Sequence, residues 1–112
     1  DILHYVQRNY APKEVFISEN GLALANEVVT EAGEILDVKR AHYYVDHIAQ
    51  LARAAAEGVP VTGYFAWTLM DNFEWAYGYT VPFGLIHVDF ETQARSVKLS
   101  GQVYAKIARL PG

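Results

Sequence analysis

The sequence contains no cysteine, which excludes disulfide scaffolds, zinc–thiolate sites and cysteine nucleophiles together. It has no basic block either: nine Lys and Arg are scattered among thirteen Asp and Glu, for a formal charge of −4. A chain without a basic face offers nothing for phosphates to bind, so nucleic acid is excluded as a partner. No apolar run approaches the roughly 18–20 residues needed to cross a bilayer, and no membrane partner is expected. Glycine and proline, at 8 and 4, together make up only 12 of 112 residues, while 52% of the chain is apolar, which excludes disorder. Methionine occurs once, as Met70, and not at the start. The chain opens Asp1-Ile2-Leu3-His4 without a signal-peptide pattern. Together with the lack of cysteine, this sets the expectation of a cytoplasmic protein.

What the sequence has in quantity is aromatic side chains, and they are bunched. Nine of the fifteen fall between Tyr64 and Phe90, a concentration that a small core does not need. The length suits one domain. Ile2, Leu3, Val6 and Tyr10 carry a helical spacing that Ala11-Pro12 stops. Val15-Phe16-Ile17 reads as a strand buried on both faces, ended by the turn signal Asn20-Gly21. Residues 22–36 have no clean period. Asp37 is a suitable N-cap for a long helix whose apolar face is Val38, Ala41, Val45, Ile48, Ala52 and Ala55. Gly58 and Pro60 end it. Val61 to Trp67 is a second apolar strand, and residues 68–82 form a long aromatic loop. Phe83 to Phe90 is extended, Glu91-Thr92-Gln93 is a turn, and Leu99, Val103, Tyr104, Ile107 and Leu110 give the face of a closing helix.

Strand, long helix, strand is a βαβ unit with parallel strands. Two strands cannot close a barrel, and a (β/α)8 barrel takes about 250 residues. The two-strand count, the opening inside a helix and the missing initial Met set the expectation of a C-terminal part of a larger α/β protein.

In parallel α/β folds functional groups collect at the carboxyl ends of the strands. Glu19 ends the first strand; Trp67 and Asp71-Asn72-Phe73-Glu74-Trp75 follow the second. Carboxylates beside indoles suit a sugar, whose C–H faces stack on Trp and whose hydroxyls bond to acids and indole N–H groups. A carboxylate fixed at a strand end can also attack an anomeric carbon. Plainer readings exist for each residue: Glu19 as a solvated acid at a turn, Trp67 as core, Glu74 as a buried but satisfied charge. No metal site is expected. His42 and His47 are five apart and do not share a helical face, and His4 and His87 have no acidic or His neighbour at ligand spacing.

At these residues the chain resembles glycoside hydrolase family 1, the β-glucosidase family. Val15-Phe16-Ile17-Ser18-Glu19-Asn20-Gly21 is similar to the family's strand-seven signature, and the segment from Gly63 to Trp75 to its strand-eight segment. Phe83-Gly84-Leu85-Ile86-His87-Val88-Asp89-Phe90 is similar to a third family stretch, and Asp37, Arg40, Tyr43 and His47 fit the helix between. The resemblance implies the last two βα units, strands 7 and 8, of a (β/α)8 TIM barrel, with residues 1–112 as the C-terminal portion of one glycosidase domain. It implies hydrolysis of unphosphorylated β-glucosides, or β-galactosides, with retention. The substrate would be cellobiose-like or an aryl or alkyl glucoside, with no cofactor.

Residue by residue, the resemblance makes Glu19 the catalytic nucleophile and Trp67 the platform under the sugar in the −1 subsite. It makes Glu74 the acceptor for the 4- and 6-hydroxyls, a position where members acting on 6-phosphorylated sugars lack an acid. Trp75 would hydrogen-bond the hydroxyls, and Phe83 would lie near the 6-position. Pro82 departs from a common Arg, and Val97 and Val103 from a common Pro and Trp. The family's general acid/base lies in an upstream Asn-Glu-Pro motif that this sequence lacks. The remainder of the barrel is therefore required, and this chain alone is expected to be inactive. Two alternatives stay open at this point: a non-catalytic sugar-binding relative, and a half-barrel that works by docking with a partner chain.

Overall fold

Val15 and Ile17 project from a β-rich run onto the same side, and this alternation builds the first strand against a covering helix. The computed structural model describes residues 2–111; Asp1, expected to lie inside the first helix, is outside the described residues. The elements run α1 (Ile2–Tyr10), β1 (Val15–Asn20), α2 (Val38–Ala56), β2 (Val61–Ala66), β3 (Ile86–Val88), β4 (Arg95–Val97) and α3 (Leu99–Ala108), with a 3₁₀ turn at Trp75–Tyr77. β1 and β2 are parallel neighbours: Val15 lies opposite Val61, Phe16 opposite Gly63, Ile17 opposite Tyr64 and Asn20 opposite Ala66. β3 and β4 form a separate antiparallel pair, so the described residues close no barrel.

The expected βαβ unit is present, with four corrections. β1 is covered on one face only: Phe16 is 55% exposed and Phe65 57%, and their rings meet edge to face at 6.4 Å. The buried face of α2 is rotated from the expected stripe. It carries Arg40, Ala41, Tyr44 and Ala54, while Val38 and Val45 are exposed. Hydrophobicity alone misplaced this face because its two largest side chains are polar, and each has its hydrogen bonds satisfied. Third, Arg95–Val97 forms a strand that was not expected; it pairs with β3 across the anticipated turn at 91–93. Asp89 makes that turn by accepting from the Glu91 and Thr92 amides at 2.9 and 3.0 Å, bonds that lower its carboxyl pKa. Fourth, Leu110 lies beyond the end of α3 and is exposed.

The C-terminus of α2 follows expectation. Gly58 takes φ 98°, its N–H donates to Ala55 O at 3.1 Å, and Val59 N–H reaches back to Ala54 O at 3.0 Å. Val59 and Ala54 are both buried at this helix stop. At the other end Asp37 does not cap its own helix with its carboxylate. Oδ1 accepts from Ser100 N–H at 2.9 Å and Oδ2 from Ser100 Oγ and Arg40 Nη1, both at 2.5 Å. The acid at the start of α2 therefore caps the first turn of α3, where Lys98 in the cap position supplies no side-chain bond.

This cap belongs to a buried charge network. Arg40 and Lys98 are both 0% exposed. Arg40 donates through Nε to Leu22 O at 2.9 Å, through Nη1 to Glu27 and Asp37, and through Nη2 to Pro82 O at 2.7 Å. Lys98 Nζ donates to Glu27 Oε1 at 2.7 Å and Asp71 Oδ1 at 2.8 Å. Two cations thus hold three carboxylates and two backbone carbonyls, drawn from four segments of the chain. Removing one partner leaves the others buried with part of their bonding lost. Arg40→Met in the protein that carries this chain is expected to cost about 3–5 kcal/mol of stability, measured by denaturant unfolding.

Candidate active site

The site is built outward from the ends of β1 and β2. Asn20 closes β1, and its side chain is held at both atoms: Nδ2 donates to Tyr43 Oη at 2.9 Å, and Oδ1 accepts from Tyr64 Oη at 2.7 Å. Tyr43 is itself stacked on His47 with ring centroids 3.8 Å apart. Asn20 O accepts from Trp67 N–H at 2.8 Å, which joins the residue after Glu19 to the residue after β2. Trp67 O accepts from the buried Tyr44 hydroxyl at 3.0 Å, and the Trp67–Thr68 peptide is cis.

Gly21 completes this junction. A Cβ at position 21 would stand 1.8 Å from Trp67 O, so only a residue without one lets the two strand ends approach this closely. Beyond Trp67 the chain makes a long excursion and returns at Phe83. At its far end Glu74 N–H donates to Gly78 O at 2.7 Å and Glu74 O accepts from Tyr77 N–H at 2.9 Å, closing a tight turn around Trp75. Trp75 takes φ 43°, a left-handed conformation that a bulky residue keeps only where its surroundings impose it.

Glu19, Trp67, Glu74, Trp75 and Phe83, with Asn20 and Gly21, line one cavity of about 410 Å³. All five residues singled out in the sequence are therefore brought together. Glu19 is exposed; Trp67, Glu74 and Phe83 are half-buried. Asn72 stands apart, its amide donating to Met70 O at 3.0 Å. Sequence reasoning missed parts behind the cavity, Tyr44 and Tyr64 and the charges Glu27 and Lys98, and it placed Asp71 at the rim, whereas Asp71 is buried behind the cavity. Tyr64 lies in an apolar run, but nothing local at Tyr43, Tyr44 or Tyr64 shows that each hydroxyl has a backbone or amide partner.

His87 also differs from expectation. Its Nδ1 lies 3.4 Å from Asp71 Oδ2, and Glu27, Asp71 and His87 bring ligand-type atoms within 4.8 Å of one another. Residues 27 and 71 are too far from 87 in sequence for spacing to reveal this. Lys98 Nζ already bonds both carboxylates, so the positive charge they require is covalently supplied.

Two parallel strands, the first joined to the second by a helix, with the candidate groups gathered at their carboxyl ends, define a protein of the α/β class. The comparisons with known proteins give the family. The whole chain, residues 1–112, matches the model described as glycosyl hydrolase family 1. The chain belongs to this family. It is 47% identical over 111 residues to the 1,4-beta-D-glucan glucohydrolase of Thermotoga neapolitana, covering 99% of this chain and 25% of that one. It is 48% identical over 111 residues to beta-glucosidase A of Thermotoga maritima, with the same coverage. The solved family 1 β-glucosidase from Thermotoga maritima in complex with isofagomine lactam superposes with a TM-score of 0.92 at 48% identity, over 96% of this chain and 24% of that chain. The chain thus spans about a quarter of the length of the relatives it matches.

Two predictions follow from the junction. Gly21→Ala should cost more than the ~1–3 kcal/mol of ordinary overpacking, because the obstructing atom is backbone. Gly63→Ala, whose Cβ would meet Phe16 Cβ at 3.5 Å, should be tolerated; thermal unfolding of the two variants compares them. Burial raises the Tyr44 hydroxyl from 10.0 to about 12 and pushes Tyr64 up as well. The folded chain therefore keeps these protons where the unfolded chain has released them. Stability should be unaffected by these groups below pH 10 and fall as the pH rises through 12. Ultraviolet titration of tyrosinate alongside unfolding measures both.

Proposed function

We propose that this chain supplies the last two βα units, strands seven and eight, of a (β/α)8 barrel in a retaining β-glycosidase. Residues 1–112 would be the C-terminal portion of its single catalytic domain. The observation that carries this reading is the single cavity shared by Glu19, Trp67, Glu74, Trp75 and Phe83, in a chain that belongs to glycosyl hydrolase family 1. The exposed Phe16–Phe65 face of the two strands supports it, since a barrel places one face of every strand inside.

Glu19 attacks the anomeric carbon as the aglycone leaves, forming a covalent glycosyl-enzyme. A second carboxyl group protonates the leaving oxygen and then activates the water that releases the sugar. That acid/base belongs to the remainder of the barrel. Trp67 lies under the sugar, Glu74 accepts from the 4- and 6-hydroxyls, Trp75 donates to hydroxyls, and Phe83 bounds the 6-position. A carboxylate at position 74 would repel a phosphate on the 6-oxygen, so the sugar is unphosphorylated, glucose-like or galactose-like. The relatives named β-glucosidase favour glucose. Cellobiose-like and aryl or alkyl glucosides are the substrates, no cofactor enters, and the setting is cytoplasmic.

Glu19→Gln in the intact protein should lower kcat by about 10⁴-fold or more, the scale seen when an acting nucleophile is removed, while the unfolding midpoint stays close to wild type. Near-normal turnover of a chromogenic β-glucoside would remove Glu19 from this role. The 112-residue chain expressed alone should show no turnover of the same substrate, and measurable activity would overturn the need for a second carboxyl from elsewhere.

A further inference from the structure

The excursion from Trp67 to Phe83 begins and ends at the cavity and carries Glu74 and Trp75 between, so whatever fixes its base fixes the site. The base is zipped. Thr68 N–H donates to Phe83 O at 3.2 Å, Leu85 N–H to Thr68 O at 2.9 Å, Ile86 N–H to Leu69 O at 2.9 Å and Asp71 N–H to Ile86 O at 3.0 Å. One side chain joins this backbone ladder: Asp71 Oδ1 accepts from Gly84 N–H at 2.8 Å. A Cβ on Gly84 would lie 2.3 Å from Asp71 N and 2.6 Å from Oδ1, so the carboxylate is seated directly against the returning backbone.

Phe83 is bracketed as a result. The peptide after it is held by Asp71. The carbonyl before it, Pro82 O, accepts from Arg40 Nη2 at 2.7 Å and from Leu24 N–H at 3.2 Å. Asp71 is 6% exposed, and its Oδ1 is also bonded by Lys98, which is fully buried. Bonds to ionised groups in such surroundings are roughly twice as strong as neutral ones. Asp71 does not line the cavity.

We propose that Asp71, backed by Lys98, is a positioning residue for the sugar site: it sets Phe83 and the loop bearing Glu74 and Trp75, and thereby sets discrimination at the hydroxymethyl side of the sugar. The inference rests on the glycosidase reading above. It separates from a purely structural role in one way. A structural loss lowers activity on every substrate alike, whereas a positioning loss falls on substrates that use Glu74 and Phe83 at the 6-position.

The test compares kcat/KM for a β-glucoside and for the β-xyloside with the same aglycone, which lacks the hydroxymethyl group. Asp71→Asn in the intact protein should reduce the glucoside-to-xyloside ratio about tenfold, the scale of one hydrogen bond to a charged group. The second variant, Asp71→Leu with Lys98→Met, replaces the buried pair by apolar side chains, a change that folds tolerate better than one orphaned charge. It should show the same fall. A ratio within twofold of wild type in a variant that still unfolds cooperatively would overturn the inference. Loss of folding in both variants would overturn it as well, by making the pair a folding requirement and nothing more. Glu74→Ala is the control. If that substitution leaves the ratio unmoved, the sugar-site reading itself fails; if it moves the ratio and Asp71→Asn does not, only the positioning role fails.

Discussion

Two buried cations govern this structure. Arg40 and Lys98 have no access to water, and each is tolerable there only because carboxylates and carbonyls surround it. Glu27 is bonded by both, which makes the β1–α2 connection the hub between them. From that hub the network reaches the start of α2 through Asp37, the start of α3 through Ser100 and Lys98, and the aromatic loop through Asp71 and Pro82. These are the starts of two helices and the loop that reaches the cavity. The strands are held by ladders and apolar contacts; the aromatic loop is held by a backbone ladder at its base and by charge.

The same division decides what could be read in the sequence. α2, β1 and β2 were legible because apolar periodicity and the Gly58–Pro60 stop are local signals. The candidate residues were legible as a group because a parallel βαβ unit places Glu19 and Trp67 at the same rim, and the family resemblance extends that to Glu74, Trp75 and Phe83. What was not legible depends on partners distant in the chain. Asp37 has the composition of a local N-cap, and its acceptors are instead taken by Arg40 and by Ser100, 63 residues away. The orientation of α2 failed for the same reason, since Arg40 and Tyr44 look like solvent-facing residues until their partners at Pro82 and Trp67 are known.

β4 shows a third kind of difficulty. Arg95–Val97 is three residues long and exposed throughout, with no apolar alternation to announce it. It becomes a strand because Asp89 folds the turn that delivers it to β3, and the register is set by that turn rather than by burial. The departures from the family pattern at Pro82 and Val97 fall in such places. Pro82 contributes only its carbonyl, which any residue offers, and Val97 is exposed.

The ladder at the base of the aromatic excursion has one further consequence, for how such a protein can change over generations. Because Thr68, Leu69 and Asp71 are bonded to Phe83, Leu85 and Ile86, the excursion is a closed loop whose ends do not depend on its length. The entropic cost of a longer loop grows slowly, by about 0.6 kcal/mol per doubling. Residues can therefore be gained or lost between Gly78 and Pro82 without disturbing the strands beneath or the Glu74–Gly78 turn. The outer span of the loop is free to diversify, while its base and the turn that carries Glu74 and Trp75 stay fixed.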